Sequence, residues 1–149
     1  MWAMLTDQAF HEEVCKATGA TSWTAEVVPT ADGGATITTR RTLPTDEFPD
    51  FVKSFVGSTI DVVRTDVWQA ARADGNRSGT TVVEIKGAPV RLDGTMQPTT
   101  EGGTTVHDVD GRLKASIPLL GGKVEKAVEP PIRSAISREQ QVGGRWLTR

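Results

Sequence analysis

From Gly121 to Trp146 the chain carries the helical period that most limits what it can fold into. At ~100° per residue, Val124, Val128, Ile132, Ala135, Val142 and Trp146 gather on one stripe. Lys123, Lys126, Arg133, Ser137, Gln141 and Arg145 occupy the opposite side. A long helix with one apolar face must bury that face, and the chain ahead of it reads mainly as strands, so the helix is expected to lie on a sheet. Two features complicate it. Gly121-Gly122-Lys123 suggests a phosphate loop, but Ile117 stands where that motif needs its first glycine and Val124 where it needs Ser or Thr. The glycine pair reads instead as a strand-to-helix turn that uses glycine's backbone freedom. Pro130 and Pro131 each remove a backbone donor from the helix interior. The stripe runs through them, which predicts a helix kinked or briefly broken near Val128–Pro131.

Upstream, Asp7 to Ala17 has a helical pattern with Thr6 or Asp7 as cap and Gly19 as stop. Trp2, Met4 and Leu5 read as the tail of an earlier element. In "TSWTAEVVPTADGGATITTRRTL", Trp23, Ala25 and Val27 alternate with polar residues, Asp32-Gly33-Gly34 supplies a turn, and Ala35, Ile37 and Thr39 resume the alternation. This is a hairpin. "PTDEFPDFVKSFVG" then returns to helical spacing through Phe48, Phe51, Val52 and Phe55, with Pro44 in a first turn and Gly57 as terminator. Four strands follow, at about Thr59–Arg72, Thr80–Lys86, Val90–Pro98 and Thr104–Ile117, joined by turns as an antiparallel meander. In the last, Asp108, Asp110, Arg112 and Lys114 take the solvent side. His107, Val109, Gly111, Leu113, Ala115 and Ile117 face the core. The fold class is α+β, in one domain.

Composition narrows the function classes. At 149 residues the chain is long enough to bury a sizeable core, and 37% hydrophobic with 24% charged residues is ordinary for a soluble globular protein. A net charge of −2 argues against a nucleic-acid partner, since phosphate neutralisation leaves a basic footprint. No apolar run approaches the ~20 residues of a membrane span. The N-terminus lacks a signal peptide's basic start and apolar segment, so a cytoplasmic location is expected. Cys15 is the only cysteine, which rules out an internal disulfide. The sequon Asn76-Arg77-Ser78 has no meaning without secretion.

Four segments carry a resemblance: "LTDQAFHEEV", "RTLPTDEFPDFVKSFVG", "TDVWQAARADGNRSGTTVVEIKGAPVRLDGTM" and "IPLLGGKVEKAVE". With the element order, they make the chain resemble the START-like superfamily, which includes polyketide cyclases/dehydratases and lipid-transfer domains, and within it a bacterial branch described as a domain of unknown function. The resemblance implies a helix-grip fold, a curved antiparallel sheet wrapped around the long C-terminal helix, with a hydrophobic cavity between them. Members usually begin with a strand, whereas this chain begins inside the following helix. The first strand is thus expected to be missing, by a late start or a truncation, which would leave a sheet edge open to pairing with a second copy.

On that frame the leading expectation is a protein that binds or carries a hydrophobic or amphipathic small molecule, lipid or polyketide-like, without cofactor or metal. The inward positions expected to form its core or cavity are Trp68, Val83, Ile85, Leu92, Met96, His107, Val109, Leu113, Val128 and Ala135. A cavity below ~300 Å³ would be too small for such a ligand. Arg64 and Asp66 share a strand face with Ile60, Val62 and Trp68; inward, they would form a buried ion pair able to orient a ligand, and outward a solvent-side pair. Glu139 lies inside the helix's apolar stripe. In a dry cavity its pKa would rise and it could act as acid or base; alternatively it bends to the helix edge and pairs with an arginine. His107 is the second candidate for proton transfer, against the alternative of a core histidine bonded to a carbonyl. These two residues carry the alternative expectation of a cyclase, dehydratase or hydrolase. His11 and Cys15 have the spacing of two metal ligands on a helix but lack a visible third. Trp23 and Trp146 are read as core. A third expectation is a partner-binding module whose pocket is filled by its own side chains.

Overall fold

A computed structural model describes residues 2–101, 104–117 and 119–148, the side chains of residues 99–108 lying outside the description. The elements run α1 (Trp2–Leu5), α2 (Gln8–Ala17), β1 (Ser22–Pro29), β2 (Ala35–Pro44), α3 (Asp50–Val56), β3 (Thr59–Trp68), β4 (Gly79–Ile85), β5 (Val90–Glu101), β6 (Thr104–Ala115) and α4 (Gly121–Leu147). The six strands form one open antiparallel sheet in sequence order, β1-β2-β3-β4-β5-β6. The architecture is α+β. Among the described residues no helix is long and apolar enough to cross a membrane.

Several boundaries differ from the sequence reading, each for a local reason. The strand expected to reach Arg72 ends at Trp68, and the chain beyond it continues as a looser arm held by Gln69 N–H to Ser78 O and Arg72 N–H to Asn76 O. Pro44 closes β2 instead of opening a helix, and Pro49 occupies the cap of α3. Met4 and Leu5, expected as the tail of something earlier, form a one-turn helix and are buried. Arg77 lies over the Trp2 ring at 3.6 Å and ties that turn to the β3–β4 connection. Asp7 caps α2 by accepting from the Ala9 N–H.

The strand-to-helix turn works differently from the expectation. Leu119, not a glycine, takes the left-handed conformation there, with φ of 66°. Gly121 is required for proximity, because a Cβ on it would stand 2.5 Å from the Ala115 carbonyl oxygen; Gly122 faces open space. The helix itself is not broken near Val128–Pro131, since α4 continues through Pro130 and Pro131. The two ring nitrogens leave the Lys126 and Ala127 carbonyls without their usual i+4 donors, while buried valines fix the helix to the sheet. Val124 and Val128 are buried at one end and Val142 at the other, while Ile132, Ala135 and Ile136 between them are only half-buried.

Those fixed points match two separate apolar clusters on the helix-covered face of the sheet. One joins Met4, Leu5, Phe10 and Val14 to Ala35, Ile37, Trp68, Met96 and Val142. The other joins Val90, Ala115, Val124 and Val128, with Phe48, Phe51, Ile85, Leu113 and Ile132 packed against them. The register places Thr39 beside Arg64 and Asp66 beside Thr81, on rows between the two.

Candidate functional site

Two features of the helix-covered face carry chemistry: the polar row between the clusters and a cavity at one end of the sheet. The polar row is built by β-strand alternation. Ile60, Val62, Asp66 and Trp68 of β3 are buried, whereas Asp61 and Val67 are exposed. Arg64 therefore points inward with them. Its Nε donates to Asp66 Oδ1 at 3.0 Å, and its Nη1 donates to Glu139 Oε2 at 2.6 Å. The Thr81 hydroxyl also donates to Asp66 Oδ1, at 2.6 Å. One guanidinium thus bridges a strand carboxylate and a helix carboxylate, and this bridge sits under the half-buried middle of α4.

The electrostatics follow from that geometry. Burial pushes the Arg64 guanidinium down, but the charges of Asp66 and Glu139 and their hydrogen bonds outweigh it, so Arg64 is held above its usual range. Burial alone would push the Glu139 carboxyl up, as expected of a carboxylate facing a dry cavity. Arg64, with smaller help from His11 and Arg41, overrides it and holds Glu139 below its usual value. Glu139 is accordingly paired with an arginine, the second of the two readings that the sequence allowed.

His11 and Cys15 lie on α2 over the same row, both buried. His11 Nε2–H donates to the Leu5 carbonyl at 2.8 Å, so this is a core histidine with a backbone partner. Among the described residues no three His, Cys, Asp or Glu side chains come together as metal ligands would. Burial lowers the His11 pKa most strongly, followed by the opposing hydrogen bond to Leu5 and the repulsion of Arg64. A folded-state pKa below the unfolded value of about 6.5 means that the unfolded chain takes up the proton first on acidification. Stability should therefore fall as pH drops through about 6.5 towards the lowered folded value. Melting temperatures recorded from pH 8 to pH 5 should show this slope, and His11→Gln should flatten it. Burial likewise pushes the Cys15 thiol up, against the pull of Arg41 and Arg64, which keeps it protonated.

The cavity lies where three chain connections meet: β2–β3 with α3, the β4–β5 turn, and β6–α4. Its walls are Phe48, Val52, Phe55 and Val56 on one side, Ile85 with Gly87 to Val90 on another, and Ser116, Ile117, Val124 and Val128 beneath the helix. The volume is about 240 Å³, and among the described residues no charged side chain lines it. α3 is clasped at its base by Thr45, whose N–H donates to the Ser58 carbonyl and whose hydroxyl donates to the Gly57 carbonyl at 2.7 Å.

The ten expected site residues divide accordingly. Of them and the other positions expected to face inward, Val128 and Ile85 line the cavity among the described residues. Arg64, Asp66 and Glu139 come together in the polar row. Trp68 and Met96 are 3% and 0% exposed within the first cluster, so they are packed core and line no cavity. Leu113 packs against the second cluster, and Ala135 is half-buried on α4. Val109, expected to face the core, is 38% exposed. It lies on β6 opposite Met96, and α4 packs against that strand through its opposite end, around Ala115. The backbone of His107 pairs with Pro98 in the sheet, and its side chain lies outside the described residues. Sequence reading missed Arg41 and Thr39, although the alternation from Ala35 through Ile37 already assigned both to the inner face. It also missed Gly87-Ala88-Pro89, read only as a break between strands, as a cavity wall.

Uncharacterised proteins of Mycobacterium bovis and Mycobacterium tuberculosis are 24% identical to the chain over 119 residues, which span 78% of this chain and 68% of theirs. No solved structure matches it. The family described as "protein of unknown function (DUF2505)" matches residues 1–147, so nearly the whole length lies within its bounds and the chain belongs to that family.

Proposed function

We propose that the protein binds a compact, largely apolar small molecule in the cavity beneath α3, as a helix-grip protein of the START-like kind. The observation that carries this reading is the cavity's lining: aliphatic and aromatic side chains, one hydroxyl from Ser116, and no charge among the described residues. Such a surface favours a ligand that gives up apolar area to water at ~25 cal/mol per Å² and offers nothing to an ion. The sheet order and the terminal helix laid across one face agree with a helix-grip arrangement.

Size narrows the ligand. At about 240 Å³ the cavity falls short of the ~300 Å³ at which small-molecule pockets begin, so a whole lipid or polyketide is not accommodated in this conformation. A smaller hydrophobe fits, as does the apolar end of a longer molecule. A larger ligand requires α3 to move away from Val124 and Val128.

The neutral fluorophore N-phenyl-1-naphthylamine is a direct probe. It should bind saturably, and Val128→Phe or Val52→Trp, which fill the cavity, should weaken binding at least tenfold. Leu147→Ser, at an exposed position far along α4, should leave it unchanged. Equal binding by the filled variants would place the probe elsewhere and defeat the reading.

A further inference from the structure

Arg41 stands beside the polar row without an ion-pair partner among the described residues. It points inward from β2, and its Nη1 donates to the neutral Thr18 hydroxyl at 2.7 Å. The Thr18 hydroxyl is itself committed to the Val14 and Cys15 carbonyls at the end of α2. The Arg41 Nε–H is fully buried and has no hydrogen-bond partner among the described residues. No carboxylate forms an ion pair with Arg41 there either, because Asp66 and Glu139 are both engaged by Arg64. Leaving a buried charged donor unmet costs more than leaving a neutral one, so this position calls for an acceptor.

A second, much smaller cavity lies at that point. His11, Val14, Cys15, Ile37, Thr39, Arg41, Arg64 and Asp66 line it, and its volume is about 10 Å³. That is room for one particle of about the size of a water molecule. Its wall carries two guanidinium groups, Arg41 and Arg64, against one carboxylate, Asp66. The Thr39 hydroxyl and the Cys15 thiol belong to residues that also line it, while the Asp66 carboxylate already accepts from Arg64 and Thr81.

We propose that this cavity is a site for a single monatomic anion of the halide class, held between α2 and the β2–β3 pair by Arg41 Nε–H, Thr39 and Cys15. Polyatomic anions such as sulfate or a ligand carboxylate are excluded by volume. Burial acts first to disfavour the Arg41 charge and Arg64 adds repulsion, and together these exceed the opposing pull of Glu139 and Asp66. An anion at Nε would supply the missing compensation. It would also tie the end of α2 to the sheet, so its occupancy should appear as stability.

Two measurements test this. Melting temperature is compared in sodium chloride and sodium gluconate at equal ionic strength, and crystals soaked in sodium bromide are examined for anomalous scattering. The site predicts a saturable chloride-specific rise of about 3–5 °C at ten times the dissociation constant. It also predicts a bromide peak within hydrogen-bonding distance of Arg41 Nε. Arg41→Lys, which keeps the charge but removes the Nε–H, should abolish both, and Thr39→Val should weaken both if the lysine variant does not fold. Equal melting in the two salts, or density at Arg41 without anomalous signal, would mean solvent only and overturn the proposal. So would a chloride response that the variants retain.

Discussion

Arg64→Met should lower the free energy of unfolding by about 3–5 kcal/mol, on the order of 10 °C in melting temperature, because it strands two carboxylates under α4. Arg64 is the only ion-pair partner of Asp66 and Glu139 among the described residues, and the side chains of the three are 18%, 6% and 19% exposed. Remaining exposure on Arg64 and Glu139 sets the loss at the lower end of that range. The arrangement as a whole is a different matter from its parts, since a buried ion network often gives little net stability over a neutral replacement of the same volume. The triple variant Arg64→Met/Asp66→Asn/Glu139→Gln should therefore recover most of what the single one loses, because the amide oxygen introduced beside Thr81 can still accept from its hydroxyl. Acidity supplies a second check. With Arg64 gone, burial should hold the Glu139 carboxyl above its unfolded value, so the single variant should be least impaired at low pH and lose stability as pH rises towards that raised value. Urea denaturation at pH 5 and pH 8 reads both effects. A triple variant no more stable than Arg64→Met would show that the loss comes from packing of the arginine stem rather than from stranded charge.

How much of this was legible in the sequence depends on how local each cause is. The stripe Val124–Val128–Val142 could be read because helical period alone puts those residues on one side, and the structure buries all three. The hairpin at Asp32-Gly33-Gly34 was legible for a similar reason: Asp32 accepts from the Gly34 N–H within the turn itself. β3 was not decidable. Ile60 and Val62 on one face are nearly matched by Val63 and Val67 on the other, and what settles the facing of Arg64 is a helix residue 75 positions away. No local pattern could announce that pairing. Glu139 was read with both outcomes open, and the same distant guanidinium decided it. The cavity is equally non-local. Phe48, Val52 and Phe55 signal a helix, Gly87-Ala88-Pro89 a break and Ile117 the end of a strand, and only the antiparallel topology brings the three connections to one end of the sheet.

Phe10→Ala tests whether the two apolar clusters are independent. Phe10 is 1% exposed and joins α2 to α4 through a ring contact with Trp146 at 5.7 Å. Removing it leaves a cavity that Ile37 and Val142 cannot close without moving the helix, so the expected loss is about 3–5 kcal/mol. The polar row changes what that loss should do to binding. Phe10 belongs to the cluster at the Trp68 end, whereas the ligand cavity belongs to the cluster around Val90 and Val124. Between them stand Thr39, Arg64, Thr81 and Asp66, and the last three are held by directed hydrogen bonds and ion pairs instead of by packing volume. Directed contacts keep their geometry when a neighbour is truncated, provided the chain remains folded. At a temperature well below its lowered melting point, Phe10→Ala should therefore bind N-phenyl-1-naphthylamine within about twofold of the parent protein, despite losing as much stability as any single core truncation. Binding that falls in step with stability would instead mean that α4 transmits the disturbance from Val142 to Val128. The helix would then couple the two ends of the fold, and the polar row would not insulate them.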